Sequence, residues 1–246
     1  MRSYAAAQLT GTRSHQCDAT AVRSAPGGTR AYVLLDGIGD DPDVREWTRA
    51  AAVRVAGAAA RRGNAEAGLR AVYDAYAADP DRQDPFRRDS MPSAVAVVAV
   101  VVPGQRITIA WCGDARAYIL TPRGVLRCCT RDHNMRRVAR GRRNVVTSFL
   151  GSDQSDEEVR DVYGHRAIET ASHPAEPCRL LLASDGAYDP LADSVRPIAQ
   201  YLTGTPRTAA NRLVTEAVSV SQLLCLRHGE APYADNATAL VADLRP

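Results

Sequence analysis

The stretch Tyr32-Val33-Leu34-Leu35-Asp36-Gly37-Ile38-Gly39-Asp40 ends a short apolar run in a carboxylate and a turn bracketed by glycines. A buried strand would deliver Asp36 to a fixed point, and the glycines would let backbone carbonyls come close to whatever Asp36 holds. Leu180-Leu181-Leu182-Ala183-Ser184-Asp185-Gly186 repeats the design. Asp235-Asn236-Ala237-Thr238-Ala239-Leu240-Val241-Ala242 mirrors it, with the carboxylate ahead of the strand. Taken singly, each is more often a plain turn. Together, three acids at strand ends can meet at one edge of a sheet. Converging carboxylates repel, so they need a cation, and hard oxygen donors suit Mg2+ or Mn2+.

The elements that must position these acids follow from periodicity and turn residues. Residues Met1 to Val22 predict an opening strand with Arg13 and Asp18 near its end. The turn cluster Arg23 to Thr29 predicts a hairpin into Ala31–Leu35. Val44 to Arg62 has Val44, Trp47, Ala51, Val55 and Ala58 at helical spacing. Asp43 stands as its cap and Gly63-Asn64 as its end. Ala65 to Ala78 predicts a second helix, and Arg82 to Pro92 a polar loop. Ala94–Val102, Ile107–Cys112, Ala115–Leu120 and Val125–Cys129 read as strands joined by hairpin turns. Val145–Leu150, Val162–Thr170 and Arg179–Ala183 are further expected strands. Tyr188–Asp193 and Ser194–Leu202 read as turns of helix, Thr208–Leu226 as an amphipathic helix, and Ala237–Leu244 as the last strand. Strand runs alternating with helix pairs imply an α+β layered sandwich in a single domain spanning 1–246.

Composition excludes several classes. The 246 residues can bury a large core, and 45% hydrophobic with 24% charged residues is ordinary for a soluble globule. A formal net charge of +3 argues for neither nucleic acid nor an anionic membrane. Every basic side chain is Arg, so no lysine chemistry is available. The cysteines, Cys17, Cys112, Cys128, Cys129, Cys178 and Cys225, contain no Cys-x-x-Cys pair or zinc spacing. Cys112 and Cys178 read as buried hydrophobes. None of His15, His133, His165, His173 and His228 forms a metal-binding spacing with another. The N-terminus lacks the apolar core of a signal sequence, and the longest apolar run is too short to span a bilayer, so a cytoplasmic location is expected.

In order along the chain, several stretches resemble the metal-dependent Ser/Thr protein phosphatases of type 2C (the PPM family) in their compact bacterial form. They are Thr12-Arg13-Ser14-His15-Gln16-Cys17-Asp18, Asp36-Gly37-Ile38-Gly39, Ser93-Ala94-Val95, Gly113-Asp114-Ala115-Arg116-Ala117-Tyr118, Arg131-Asp132-His133, Thr147-Ser148-Phe149-Leu150-Gly151, Ser184-Asp185-Gly186 and Asp235-Asn236-Ala237-Thr238. The resemblance implies a four-layer α-β-β-α sandwich, two packed antiparallel sheets with helix pairs outside. It also implies hydrolysis of phosphoserine and phosphothreonine on proteins by a metal-activated water, in a monomer. Two Mn2+ or Mg2+ ions would be held by Asp36 as the bridging carboxylate, the carbonyl of Gly37, Asp185 and Asp235. Arg13 would grip the phosphate. Asp114 matches the position that can hold a third ion in relatives, its alternative being a turn carboxylate paired with Arg116. His133 is either a proton donor to the leaving group or a satisfied structural histidine, the second being more common. Cys17 stands where the family has a Glu, and Asp40 replaces a glycine, so that it either adds a carboxylate near the second ion or begins the helix cap. About ten residues separate His133 from Asn144, where the family has a longer flap. The basic run Arg136, Arg137, Arg140, Arg142 and Arg143 is either a solvated face or a dock for an acidic phosphoprotein. Cys17 and the trimmed flap leave a second reading open: an inactive pseudophosphatase that binds a phosphoprotein as a regulatory module.

Overall fold

The computed structural model describes residues 3–246. In chain order its elements are β1 (Tyr4–Leu9), β2 (Ala19–Ser24), β3 (Arg30–Gly37), α1 (Pro42–Arg62), α2 (Ala65–Ala77), α3 (Pro80–Gln83), α4 (Pro85–Arg88), β4 (Ala94–Val101), β5 (Ile107–Cys112), β6 (Arg116–Leu120), β7 (Leu126–Cys128), α5 (Met135–Ala139), α6 (Asp156–Tyr163), β8 (Glu169–His173), β9 (Cys178–Ala183), α7 (Asp185–Asp193), α8 (Pro206–Arg227) and β10 (Ala237–Leu244). The strands form two antiparallel sheets, ordered β1-β10-β9-β6-β7 and β2-β3-β4-β5-β8.

Strand alternation sorts the apolar residues into three layers. Tyr32 and Leu34 of β3 face the second sheet and pack with Val97, Ile109, Leu180, Leu182 and Leu240. Val33 and Leu35 point the other way, onto Val55 of α1 and Leu69 of α2. On the far side, Leu181 and Val241 pack under α7 and α8 with Leu191, Leu213 and Val214. The result is the four-layer α-β-β-α sandwich expected from the sequence. The Ala-rich face of α1 lets α2 come very close: a Cβ on Gly68 would collide with the backbone of Ala59.

Several local expectations change. Arg13 and Asp18 sit on the connection between β1 and β2, which belong to different sheets, so the opening segment is two strands rather than one. Met1 and Arg2 lie outside the described residues. The cap of α1 is Asp41, whose side chain accepts from the N–H groups of Asp43 and Val44, and not Asp43. β5 and β6 are not a hairpin: the chain changes sheets at Gly113-Asp114. Val145–Leu150 makes only isolated bridges, at Val146 and Leu150. The expected strand at Val162–Thr170 is the end of α6 and then β8, because the capping box of Ser155 and Glu158 starts a helix whose Val159 is buried.

The supposed polar loop at 82–92 holds α3, α4 and a buried arginine. Arg82 is 1% exposed. Its Nη1 donates to Gly151 O and its Nη2 to Pro92 O, both at 2.6 Å. The guanidinium lies over the rings of Trp47 and Tyr76. Hydrogen bonds from a charged donor contribute about 1.5–3 kcal/mol each, partly offset by the cost of burying the charge. Arg82→Ala is therefore expected to lower unfolding stability by about 2–4 kcal/mol in urea denaturation. A change below about 0.5 kcal/mol would remove Arg82 from the framework.

Candidate active site

The antiparallel registers bring one end of four strands together. Asp36 closes β3, Asp185 follows β9, Asp235 precedes β10 and Asp18 precedes β2. Ala19 of β2 lies beside Leu35 of β3, and Ala183 of β9 beside Ala239 of β10. Asp114 joins them from the crossing between β5 and β6. The loops are laced tightly. Ser184 Oγ donates to Asp18 Oδ2 at 2.9 Å and accepts from Thr238 N at 3.0 Å. Asn236 accepts from Cys17 N at 2.7 Å and donates to the carbonyls of Thr10 and His15. A Cβ on Gly37 would stand 2.6 Å from Cys17 O, so only glycine fits there.

Electrostatics mark this cluster. Burial raises the Asp36 carboxyl well above its usual range, and the charges of Asp18, Asp185, Asp114 and Asp235 push it further. Burial likewise raises Asp18 and Asp185, the latter also through Asp235. Asp114 rises through burial and the charges of Asp185 and Asp132. Asp185 Oδ1 accepts from Gly186 N at 2.6 Å. Asp18 is 2% exposed, and its Oδ1 has no hydrogen-bond partner.

Arg13 is not free beside the acids. Its Nε and Nη2 donate to the two oxygens of Asp235 at 2.9 and 2.7 Å, which raises its own pKa. Tyr233 donates its hydroxyl to Asp235 at 3.2 Å. Arg143 reaches the other rim, 3.0 Å from Asp189 and 2.7 Å from Asp193. Burial, with the charge of Asp185, pushes Asp189 up to about 6 against the pull of Arg143. Between them lies a cleft of about 660 Å³ lined by Arg13, Arg143, Asp185, Asp189, Tyr233 and Asp235. A larger cavity, about 810 Å³, opens at the opposite end of β3, beside Arg30 and Tyr32, away from the carboxylates.

The remaining candidates resolve. Arg116 pairs with Asp132 through both oxygens and leaves Asp114 unpaired, so the turn-pair alternative for Asp114 falls. Asp40 accepts from the N–H groups of Ser14 and His15 at 2.9 and 2.7 Å: it clamps the Arg13 loop and caps nothing. Cys17 is 1% exposed, its thiol is pushed up by burial, and Sγ lies 3.7 Å from Asp41 O. His133 is fully buried. Its Nδ1 lies 3.4 Å from Gly113 N and its Nε2 3.2 Å from Glu169, and burial holds its pKa down at about 4. It is the satisfied structural histidine. Asp18 was absent from the ligand set read from the sequence. The available signal was a carboxylate directly ahead of a strand, the pattern recognised at Asp235. Tyr233 gave no signal although Asp235 is only two residues on, and Arg143 was visible only as part of a basic run, because its partners Asp189 and Asp193 are remote in sequence.

Among the described residues, no group of three or more His, Cys, Asp and Glu side chains stands arranged as a metal-ligand set. The donor chemistry nevertheless fits hard divalent ions. Asp18, Asp36, Asp114 and Asp185 are mutually repelling oxygen donors, and the buried Asp18 Oδ1 has no other partner.

The protein phosphatase 2C family model matches residues 45–143. PppA of Pseudomonas aeruginosa, described as a key regulatory component of T6SS, is 24% identical, covering 98% of this chain and 97% of that one at a TM-score of 0.68. Serine/threonine phosphatase Stp1 of Staphylococcus aureus is 21% identical, over 100% and 96% of the two chains, at 0.68. The PPM Ser-Thr phosphatase MsPP of Mycobacterium smegmatis, solved with cacodylate, is 20% identical, over 98% of each, at 0.68. No curated protein matches the sequence. The type 2C resemblance stands: the chain carries the fold of these bacterial PPM phosphatases, with a protein phosphatase 2C match through its middle.

The raised carboxyls have a consequence for stability. A folded-state pKa above the unfolded value of about 4 stabilises the fold at low pH, and that contribution is lost as pH rises through the raised value. In chelator at pH 7.5, Asp36→Asn should therefore raise Tm by about 2–6 °C, and the gain should vanish near pH 4. Mn2+ should raise the wild-type Tm more than the variant's. A variant less stable than wild type at pH 7.5 would contradict the repulsion.

Proposed function

We propose that the chain is a metal-dependent protein phosphatase acting on phosphoserine and phosphothreonine, as a cytoplasmic monomer and one domain over residues 1–246. The observation that supports this most is the gathering of Asp18, Asp36 and Asp185 at one end of both sheets, with raised carboxyls and an unpartnered oxygen. Asp36, Gly37 O, Asp185 and Asp235 would hold two Mn2+ or Mg2+ ions, with Asp18 beside them and Asp114 as a donor for a third. When bound, such ions supply an acidified water as nucleophile and charge compensation on the phosphate. The chain's own residues do the rest. Arg13, positioned by Asp235, keeps guanidinium N–H groups for phosphate oxygens at the mouth of the cleft. Arg143 fixes α7, and hence Asp185, through Asp189 and Asp193. Ser184 fixes Asp18 against β9 and β10. Among the described residues, no helix is long and apolar enough to cross a membrane.

A specific observation favours the second reading. On the second-ion side Cys17 is a buried neutral thiol, and Asp40 is spent on backbone N–H groups. A phosphoprotein-binding module without turnover would have that pattern.

An aryl phosphate assay separates the two. Turnover with Mn2+ should be abolished by EDTA, and Asp36→Asn and Asp185→Asn should each lose about 100-fold or more in kcat, with folding confirmed by circular dichroism. Activity indifferent to chelator would sink the metal mechanism. No turnover at any Mn2+ level, with retained binding of a phosphopeptide, would favour the module.

A further inference from the structure

The segment 131–143, whose last residue, Arg143, lines the candidate active-site cleft, builds a second feature of opposite charge. The indole of Trp111 donates to Arg131 O at 2.9 Å, and Arg137 Nη1 donates to the same carbonyl at 3.3 Å. Arg137 also donates to both oxygens of Glu169 at 2.8 Å, and the buried His133 Nε2 lies 3.2 Å from the same carboxylate. These contacts fix the backbone of Arg131 and the guanidinium of Arg137 beside a cavity of about 410 Å³ that Arg166 and Ile168 also line. The side chains of Arg131 and Arg166 are exposed and make no ion pair among the described residues. Glu169 is the one carboxylate lining the cavity, and its oxygens are already used. Arg136, Arg140 and Arg142 continue the unpaired, exposed charge along the same segment toward Arg143. The catalytic cleft differs: Arg13 and Arg143 there face Asp185, Asp189, Asp193, Glu230 and Asp235.

We propose that the Arg131–Arg137–Arg166 cavity is a docking site for an acidic segment of the protein substrate. The proposal rests on the phosphoprotein reading of the neighbouring cleft. Guanidinium groups bind carboxylates bidentately, and Arg131 and Arg166 are two unpaired ones beside Arg137, whose own charge is already matched by Glu169. Arg137 and Arg143 are six residues apart, so the two features lie within about 20 Å of each other. An extended peptide can place a phosphoserine in the cleft and an acidic run in the cavity. An acidic protein segment suits the surface better than nucleic acid. The cavity's aromatic ring, Trp111, is 4% exposed and offers no stacking face, and the whole chain carries only +3.

The test uses the full chain and a fluorescein-labelled peptide of alternating Glu and Gly, followed by anisotropy in 50 mM salt. Wild type should bind it, and Arg131→Glu with Arg166→Glu should weaken binding at least tenfold. Arg207→Glu with Arg227→Glu, the same charge change on α8, should weaken it less than twofold. A phosphoserine peptide carrying the acidic run should show a raised KM in the Arg131/Arg166 variant, with kcat and aryl phosphate turnover unchanged. If wild type fails to bind, if both variants lose equally, or if an RNA oligomer of equal charge binds more tightly through the same arginines, the proposal is overturned. Absence of aryl phosphate turnover would overturn the phosphatase reading alone, because the anisotropy arm still reports on docking.

Discussion

Four carboxyls crowd one end of the β-sandwich, and their mutual repulsion is the constraint around which the structure is organised. Asp18, Asp36, Asp114 and Asp185 are each raised by burial, and then by a neighbouring carboxylate, which for Asp185 is Asp235, an arrangement a fold selected for stability alone would avoid. The rest of the architecture can be understood as what holds them there. β4, buried along its whole length, anchors β3 and so Asp36. The central strands β9 and β10 carry Asp185 and Asp235 in register. The lacing of Ser184 and Asn236 keeps the Arg13–Asp18 loop against both.

Two balancing interactions frame the cluster. Arg13 is committed to Asp235, and Arg143 to Asp189 and Asp193, so each rim of the cleft carries a guanidinium whose position is set by acids. Asp40, whose charge acts on Cys17, is turned to structural use as the clamp of the Arg13 loop. Elsewhere His133, with Glu169 and Arg137, supports Gly113 ahead of Asp114. The site thus combines a strong carboxylate centre with a side that offers fewer oxygen donors.

Much of this was legible in the sequence, for physical reasons that differ by element. Asp36, Asp185 and Asp235 were visible because a strand end fixes a carboxylate whatever the distant chain does. β10 and α8 were visible because their apolar periods are long. Arg82 was not, since a lone arginine in a polar stretch gives no local sign that Trp47, Tyr76 and two carbonyls will enclose it. The end of α6, Val162 and Tyr163, was read into the following strand because Val162 suggests strand locally, while the helix's capping box sits upstream at Ser155 and Glu158. The Arg13–Asp235 pair was invisible for a simpler reason: the partners are 222 residues apart.

The central claim is that the crowded carboxylates form a receptor for hard divalent cations. Electron paramagnetic resonance of Mn2+ tests it directly, since the sharp multiline signal of the free aquo ion is lost on binding. Wild type is expected to quench that signal in a saturable titration, and Asp36→Asn to leave most of it. Equal quenching by the two proteins, or none by wild type at millimolar Mn2+, would contradict the claim.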